Sequence, residues 1–155
     1  MHSTLLTATK EFSFDCAHVL TGHEGLCQNL HGHTYKLQVT VARLAEEVEA
    51  EGPSAGMVID FSHLKKLVKS LVVDFFDHAT VISNSTYDNF EVELADLCKR
   101  HGKKVAYVEY RPTAENMVSD FYNRIQAALI DEDAPIRVVR MRLYETPTSY
   151  AEITI

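Results

Sequence analysis

Two imidazoles, His31 and His33, open an alternating segment, and a thiol, Cys27, stands four residues before the first of them. In Thr34-Tyr-Lys-Leu-Gln-Val-Thr-Val41 the apolar residues Tyr35, Leu37, Val39 and Val41 alternate with polar ones, the period of a half-buried strand. His31 and His33 continue the face of Tyr35. Same-face neighbours on a strand lie about 6.5 to 7 Å apart, so both rings can converge on one ion. The chain must therefore build a strand whose end presents imidazoles rather than apolar groups.

A third ligand stands just upstream. In Phe12-Ser-Phe-Asp-Cys-Ala-His18 the residues Phe12, Phe14, Cys16 and His18 share one face. Antiparallel pairing of this strand with the one beginning near His33, through the loop of residues 19–30, brings His18 beside His31 and His33. Any single one of the eight histidines reads best as an ordinary loop residue; the trio reads as a metal site. Three neutral imidazoles with an open fourth position form a catalytic rather than a structural pattern. Imidazole suits Zn²⁺ best, with iron or another divalent ion left open.

The 155 residues, 46% of them hydrophobic, suffice for one domain with a real core and leave little for a second. We read residues 1–155 as a single domain. The net charge of −7 and the lack of a Lys/Arg stripe argue against a nucleic-acid surface. Three cysteines, an odd number, behind a start that does not resemble a signal peptide point to free thiols in a reducing, cytoplasmic setting. No run approaches the roughly 18 to 20 apolar residues that cross a bilayer.

Beyond the two strands, residues 46–56 are charged and then Gly/Pro/Ser-rich, and read as a hairpin loop. From Ser62, the expected N-cap, Leu64, Leu67, Val68, Leu71, Val72 and Phe75 recur at helical spacing as far as Phe76. Residues 81–89 read as turn-rich, and 90–101 as a shorter helix stopped by Gly102. Residues 105–110 are extended. Pro112-Thr113 starts a helix carrying Met117, Phe121, Ile125 and Leu129, and two alternating runs, 137–145 and 149–155, close the chain. Strands grouped at each end with helices between them predict an α+β architecture, an antiparallel sheet with helices on one face.

Cys27 is the candidate nucleophile or base, since a thiol ionises more readily near a metal or a cation. Cys16 and Cys98 read as structural thiols in a strand and in a helix core. Asp77-His78 pairs a carboxylate with an imidazole, which can fix the tautomer of the ring; adjacency alone is equally a favourable helix end. Glu145 puts a carboxylate on the face of Val139, Met141 and Leu143, costly unless it is paired or liganded. It either emerges at the strand end or accepts two hydrogen bonds from adjacent N–H donors, such as the 2-amino-4-oxopyrimidine edge of a pterin or guanine. Glu115 stands in a first helical turn, where the dipole alone favours an acid.

These residues together resemble the 6-pyruvoyltetrahydropterin synthase family, most closely its queuosine-pathway branch of 6-carboxytetrahydropterin synthases. The likeness covers almost the whole chain: Phe14-Asp-Cys-Ala-His18, Cys27-x-x-x-His31-Gly-His33, Val58-Ile-Asp-Phe61, Asp77-His78, Pro112-Thr-Ala-Glu-Asn116 and Tyr144-Glu145-Thr146, in the family's order. It implies a tunnelling fold whose subunits join their sheets into a barrel, as a homohexamer of two trimers with active sites between subunits. It places zinc on His18, His31 and His33, the catalytic thiol at Cys27 with Asp77 and His78 as relay partners, the pterin on Glu145, and a pocket wall at Thr113, Ala114 and Glu115. The implied reaction is that of a lyase, converting 7,8-dihydroneopterin triphosphate to 6-carboxy-5,6,7,8-tetrahydropterin with loss of triphosphate and acetaldehyde. The short interval from Cys27 to His31 resembles this carboxy-forming branch. Formation of the pyruvoyl product, side-chain cleavage to 6-hydroxymethyl-7,8-dihydropterin, and a zinc- or pterin-binding module without turnover stay open. Two departures stand out: the region from Ser83 to Arg111 is longer than in compact family members, and Cys16 replaces a small residue.

Overall fold

The computed structural model of the protein describes residues 4–44 and 48–155. Two long strands, β1 (Thr7–His18) and β2 (His31–Arg43), pair antiparallel over their whole length. β5 (Ile136–Thr146) pairs antiparallel with β2, and β6 (Ser149–Thr154) with β5. On the other side of β1 the sheet is extended by β3 (Ala79–Ser83) and β4 (Val105–Val108), both in parallel pairings. The order across the six strands is β4-β3-β1-β2-β5-β6. β4 and β6 are the outer strands.

The period-2 pattern does what it predicts. Phe14, Cys16 and His18 on β1, Tyr35, Leu37 and Val39 on β2, and Met141 and Leu143 on β5 are buried on one face. The intervening Glu11, Ser13, Asp15 and Thr34 are exposed on the other. Helices cover the apolar face only. The longest, α4 (Ala114–Asp131), buries Met117, Phe121, Ile125 and Leu129 as its spacing predicts, and Thr113 caps it by accepting from the Asn116 N–H. Phe14 sits at the centre of the aromatic packing, stacked on Tyr35 at 5.4 Å and in contact with Phe76 and Phe121 at 6.3 and 6.0 Å.

The preceding helix departs from expectation in two ways. Its cap is Asp60, whose carboxylate accepts from the Ser62 N–H at 2.7 Å, and not Ser62, whose hydroxyl donates to that same carboxylate. Between α1 (Phe61–Val68) and α2 (Asp74–Phe76) runs a π turn, Lys69–Val73. The wider turn rotates everything beyond it, so Phe76 is fully buried and Phe75 is left 38% exposed, the reverse of what a uniform helical period gives.

Three further expectations are corrected. β3 occupies residues read as the start of a turn-rich stretch; only the segment beyond Ser83 is a loop. Residues 48–56 are not a hairpin loop, because the chain runs on into α1 rather than into a paired strand; Glu46 and Glu47 of that expectation lie outside the described residues. Cys98 is only half buried on α3 (Asn89–Arg100), whose buried residues are Glu91 and Ala95, so it is no core thiol. The Ser83–Arg111 region holds α3 and β4, and β4 extends the sheet beyond β3.

Phe14→Ala should cost roughly 3 to 5 kcal/mol of stability, the range for truncating a buried aromatic that three other rings enclose. Chemical denaturation of the pure protein checks this.

Candidate metal and substrate site

The β1–β2 register sets His18 opposite His31 and Cys16 opposite His33. The three imidazoles, read from the sequence as one cluster, do converge: one ring nitrogen from each lies within 4.8 Å of the others. Gly32 separates the two β2 histidines, and a Cβ there would come 3.1 Å from the Cys16 carbonyl oxygen, so the close strand approach favours glycine.

Two backbone carbonyls fix how the rings present themselves. His18 Nδ1 lies 2.7 Å from the Pro112 carbonyl oxygen, and His31 Nδ1 lies 2.7 Å from that of Asn29. A carbonyl oxygen only accepts, so each Nδ1 carries the hydrogen and each Nε2 is a bare lone pair. Yet His18 Nε2 and His31 Nε2 face each other at 3.1 Å, two acceptors with no proton between them. His33 Nε2 is buried and has no hydrogen-bond partner. Two bare lone pairs meet there, and His33 Nε2 stands beside them without a partner, an arrangement unfavourable for the protein alone and one that a divalent cation satisfies. Burial holds His18 below the usual histidine range, and burial likewise lowers His33 against the opposing Glu145 carboxylate. Neutral rings are the form that ligates. The cluster therefore fits a divalent metal ion.

Cys27 lies in a short 3₁₀ turn, Leu26–Gln28, half buried. Its carbonyl accepts from the Leu20 N–H at 2.9 Å, tying the turn back to the end of β1. The group of converging donors is the three histidines without this thiol. Cys16, buried on the face beneath, has its thiol pushed up to about 12, first by desolvation and then by Asp15.

Glu145 stands on the buried face of β5, where the β5–β6 register shifts between Tyr144 and Thr146, an irregularity of the kind that re-aims a side chain. One carboxylate oxygen is 3.4 Å from the Tyr35 hydroxyl and the other 3.7 Å from His33 Nε2. The carboxylate that the sequence marks as costly unless paired or liganded thus has a phenol on one oxygen and an imidazole near the other. Of the expected pocket wall, Thr113 uses its hydroxyl as the helix cap, Ala114 packs on the core and Glu115 is exposed.

Asp77 and His78 form a second group, separate from the histidines. His78 Nδ1 is 2.9 Å from Asp77 Oδ2, Asp77 Oδ1 accepts from the Asp15 N–H at 3.0 Å, and the His78 N–H donates to the Asp15 carbonyl at 2.6 Å. The Asp15 N–H, helped by His78, holds the Asp77 carboxyl below its ordinary range. His78 adopts φ 59°, a backbone state few residues occupy, which the Asp15 bond maintains. The Asp15 carboxylate, which belongs to this group, accepts from the Thr34 hydroxyl on the open face of the sheet. His18, three residues along β1, belongs to the covered face. A cleft of about 430 Å³ is lined by Asp15, Gly32, Thr34 and His78 and also by Cys16 and His33.

Three contributors lie outside the sequence reading: the carbonyls of Pro112 and Asn29, and the Tyr35 hydroxyl. Backbone acceptors leave no residue-type signal. Tyr35 had one, since it is the only residue of its apolar run with a polar end.

With this geometry established, comparison with known proteins places the chain. The sequence model of the family described as 6-pyruvoyl tetrahydropterin synthase matches residues 7–155. The chain belongs to that family. It is 42% identical over 144 residues to the 6-carboxy-5,6,7,8-tetrahydropterin synthase of Haemophilus influenzae, covering 93% of this chain and 95% of that one. It is 33% identical to the Rickettsia bellii protein of the same name, over 96% of this chain and the whole of that one. Among solved structures, an uncharacterized protein of Wolinella succinogenes superposes with a TM-score of 0.75 at 21% identity, covering 98% and 99% of the two chains. The 6-pyruvoyl tetrahydropterin synthase of Caenorhabditis elegans gives 0.65 at 23%, covering 100% and 99%. At these identities the structural likeness is one of fold, the tunnelling fold. Among the described residues no helix is long and apolar enough to cross a membrane.

Native-state alkylation at pH 8 should leave Cys16 unmodified, because a thiol raised to about 12 is ionised there to only about one part in 10⁴. Cys27 and Cys98, both half buried, should be carboxymethylated first, as peptide mass mapping will read.

Proposed function

We propose that the protein is a zinc-dependent 6-carboxy-5,6,7,8-tetrahydropterin synthase, a lyase acting on 7,8-dihydroneopterin triphosphate in queuosine and 7-deazaguanine biosynthesis. The products are 6-carboxytetrahydropterin, acetaldehyde and triphosphate. The observation that carries the metal chemistry is the convergence of three ring nitrogens, with the Nε2 lone pairs of His18 and His31 facing each other and His33 Nε2 unpartnered beside them. The branch follows the identity to relatives bearing that name.

His18, His31 and His33 hold the zinc in this reading. The metal supplies Lewis acidity to the side-chain oxygens of the substrate, easing loss of neighbouring protons. The Pro112 and Asn29 carbonyls keep the rings in the ligating tautomer. Glu145 accepts two N–H bonds from the pterin and sets which carbon faces the thiol. Thr113, Ala114 and Glu115 wall the pocket beside Pro112. Cys27 removes or returns a proton on one face of the substrate and His78 on the other. Asp77, accepting from His78 Nδ1 at 2.9 Å, leaves the far nitrogen of that ring as the proton acceptor.

In one chain the Asp77–His78 group lies with Asp15 on the open face, while the histidine cluster lies on the covered one. This supports an active site completed by a neighbouring copy, in a cytoplasmic homohexamer built as a dimer of trimers. The outer strands β4 and β6 are the edges available for joining sheets.

Incubation of zinc-loaded protein with dihydroneopterin triphosphate, with products identified by mass, tests the assignment. Carboxytetrahydropterin and acetaldehyde are expected; a pyruvoyl or hydroxymethyl product would move the protein to another branch, and absence of turnover would make it a binding module. His31→Ala removes a ligand outright, so zinc affinity should fall by at least the roughly 10- to 100-fold that loss of a supporting hydrogen bond alone costs, and zinc content with it. Far-UV circular dichroism should not change, and normal zinc content by elemental analysis would remove the ligand assignment.

A further inference from the structure

Tyr35 is fully buried, and a buried phenol needs a partner for its O–H. Among the described residues its partner is Glu145, at 3.4 Å from Oε2. The contact follows from the pairing of the strands. Lys36 sits opposite Tyr144, so the next antiparallel position sets Tyr35 against Glu145. The ring itself has little freedom: it stacks on Phe14 at 5.4 Å and 11° between planes, and meets His33 and His18 edge-on at 5.5 and 6.3 Å.

Glu145 is held less firmly. It lies at the register shift of the β5–β6 ladder, and its second oxygen, 3.7 Å from His33 Nε2, makes no hydrogen bond there. A glutamate has three side-chain torsions, and recognition of two parallel N–H donors demands that both oxygens lie in the plane of the ligand. Among the described residues the Tyr35 phenol is the one hydrogen-bond donor to that carboxylate.

We infer that Tyr35 is a positioning residue for substrate binding, donating its hydroxyl proton to Glu145 Oε2 and so holding the carboxylate ready for the two N–H donors of the pterin edge. The inference rests on the proposed role of Glu145 as pterin acceptor. Phenylalanine fills the same volume against Phe14, so a residue present only for packing would tolerate loss of the hydroxyl. A positioning residue would not.

The test uses zinc-loaded parent, Tyr35→Phe, Glu145→Gln and the double variant, with neopterin as the calorimetric probe. Tyr35→Phe should weaken neopterin roughly three- to tenfold, the scale of one hydrogen bond. It should raise KM by a similar factor while kcat and zinc content hold. Glu145→Gln should weaken the probe more, by roughly thirtyfold or beyond. In the Glu145→Gln background the Tyr35→Phe change should add nothing, because its only route to the ligand is gone. Tyr35→Phe affinity equal to the parent, alongside a large loss in Glu145→Gln, overturns the inference and leaves the Glu145 role standing. Equal losses from Tyr35→Phe in both backgrounds overturn it as well, since the phenol would then act by another route. Unchanged affinity in Glu145→Gln brings down the acceptor role itself, and the inference with it.

Discussion

The pairing of β1 with β2 governs most of what this protein can do. Its register, Cys16 opposite His33 and His18 opposite His31, places three imidazoles at one end of the sheet and a stacked Phe14–Tyr35 pair immediately below them. A slip of one residue would turn every one of these side chains to the other face. The register is pinned by burial: Phe14 and Cys16 of β1 and Tyr35, Leu37 and Val39 of β2 fill the core, while Asp15 and Thr34 bond to each other outside. Core packing and ligand geometry are thus consequences of the same alignment.

Much of this was legible in the residues because the signals were periodic and long. β1, β2, β5 and β6 alternate over six or more positions, and α4 repeats its apolar face over four turns, so each was readable with its buried side. β3 was not, because five residues directly after a helix carry too little period to separate a strand from a turn. The π turn left no mark in the pattern either; Phe75 and Phe76 are both aromatic, and only the backbone decides which enters the core. Asp60 and Ser62 are both cap-type residues, and the choice depended on where the chain leaves extended geometry.

The candidate site divides along similar lines. His18, His31 and His33 could be brought together from strand alternation and the pairing of β1 with β2; Glu145 was marked by its own strand face, and only the pairing of β5 with β2 brings it beside Tyr35 and His33. Asp77 and His78, whose adjacency alone fitted an ordinary helix end as well, do contact each other, and their hydrogen bonds to Asp15 put them on the open side. A linear pattern records neighbours in one chain and holds nothing about which surfaces of two copies meet. The carbonyls of Asn29 and Pro112 were invisible for a different reason: every residue has one, and only the fold selects which are used.

The Pro112 carbonyl couples two scales of the molecule. It stands one residue before Thr113, the cap of the 18-residue helix α4, and it orients the His18 ring. The helix that fills the core is therefore also a lever on an imidazole: its seating on Phe14, Phe76 and the sheet sets where that oxygen lies. Repacking deep in the hydrophobic layer, around Phe121 or Ile125, would be transmitted as a rotation of His18, so tuning of the site's affinity for a cation is open to substitutions that never touch it.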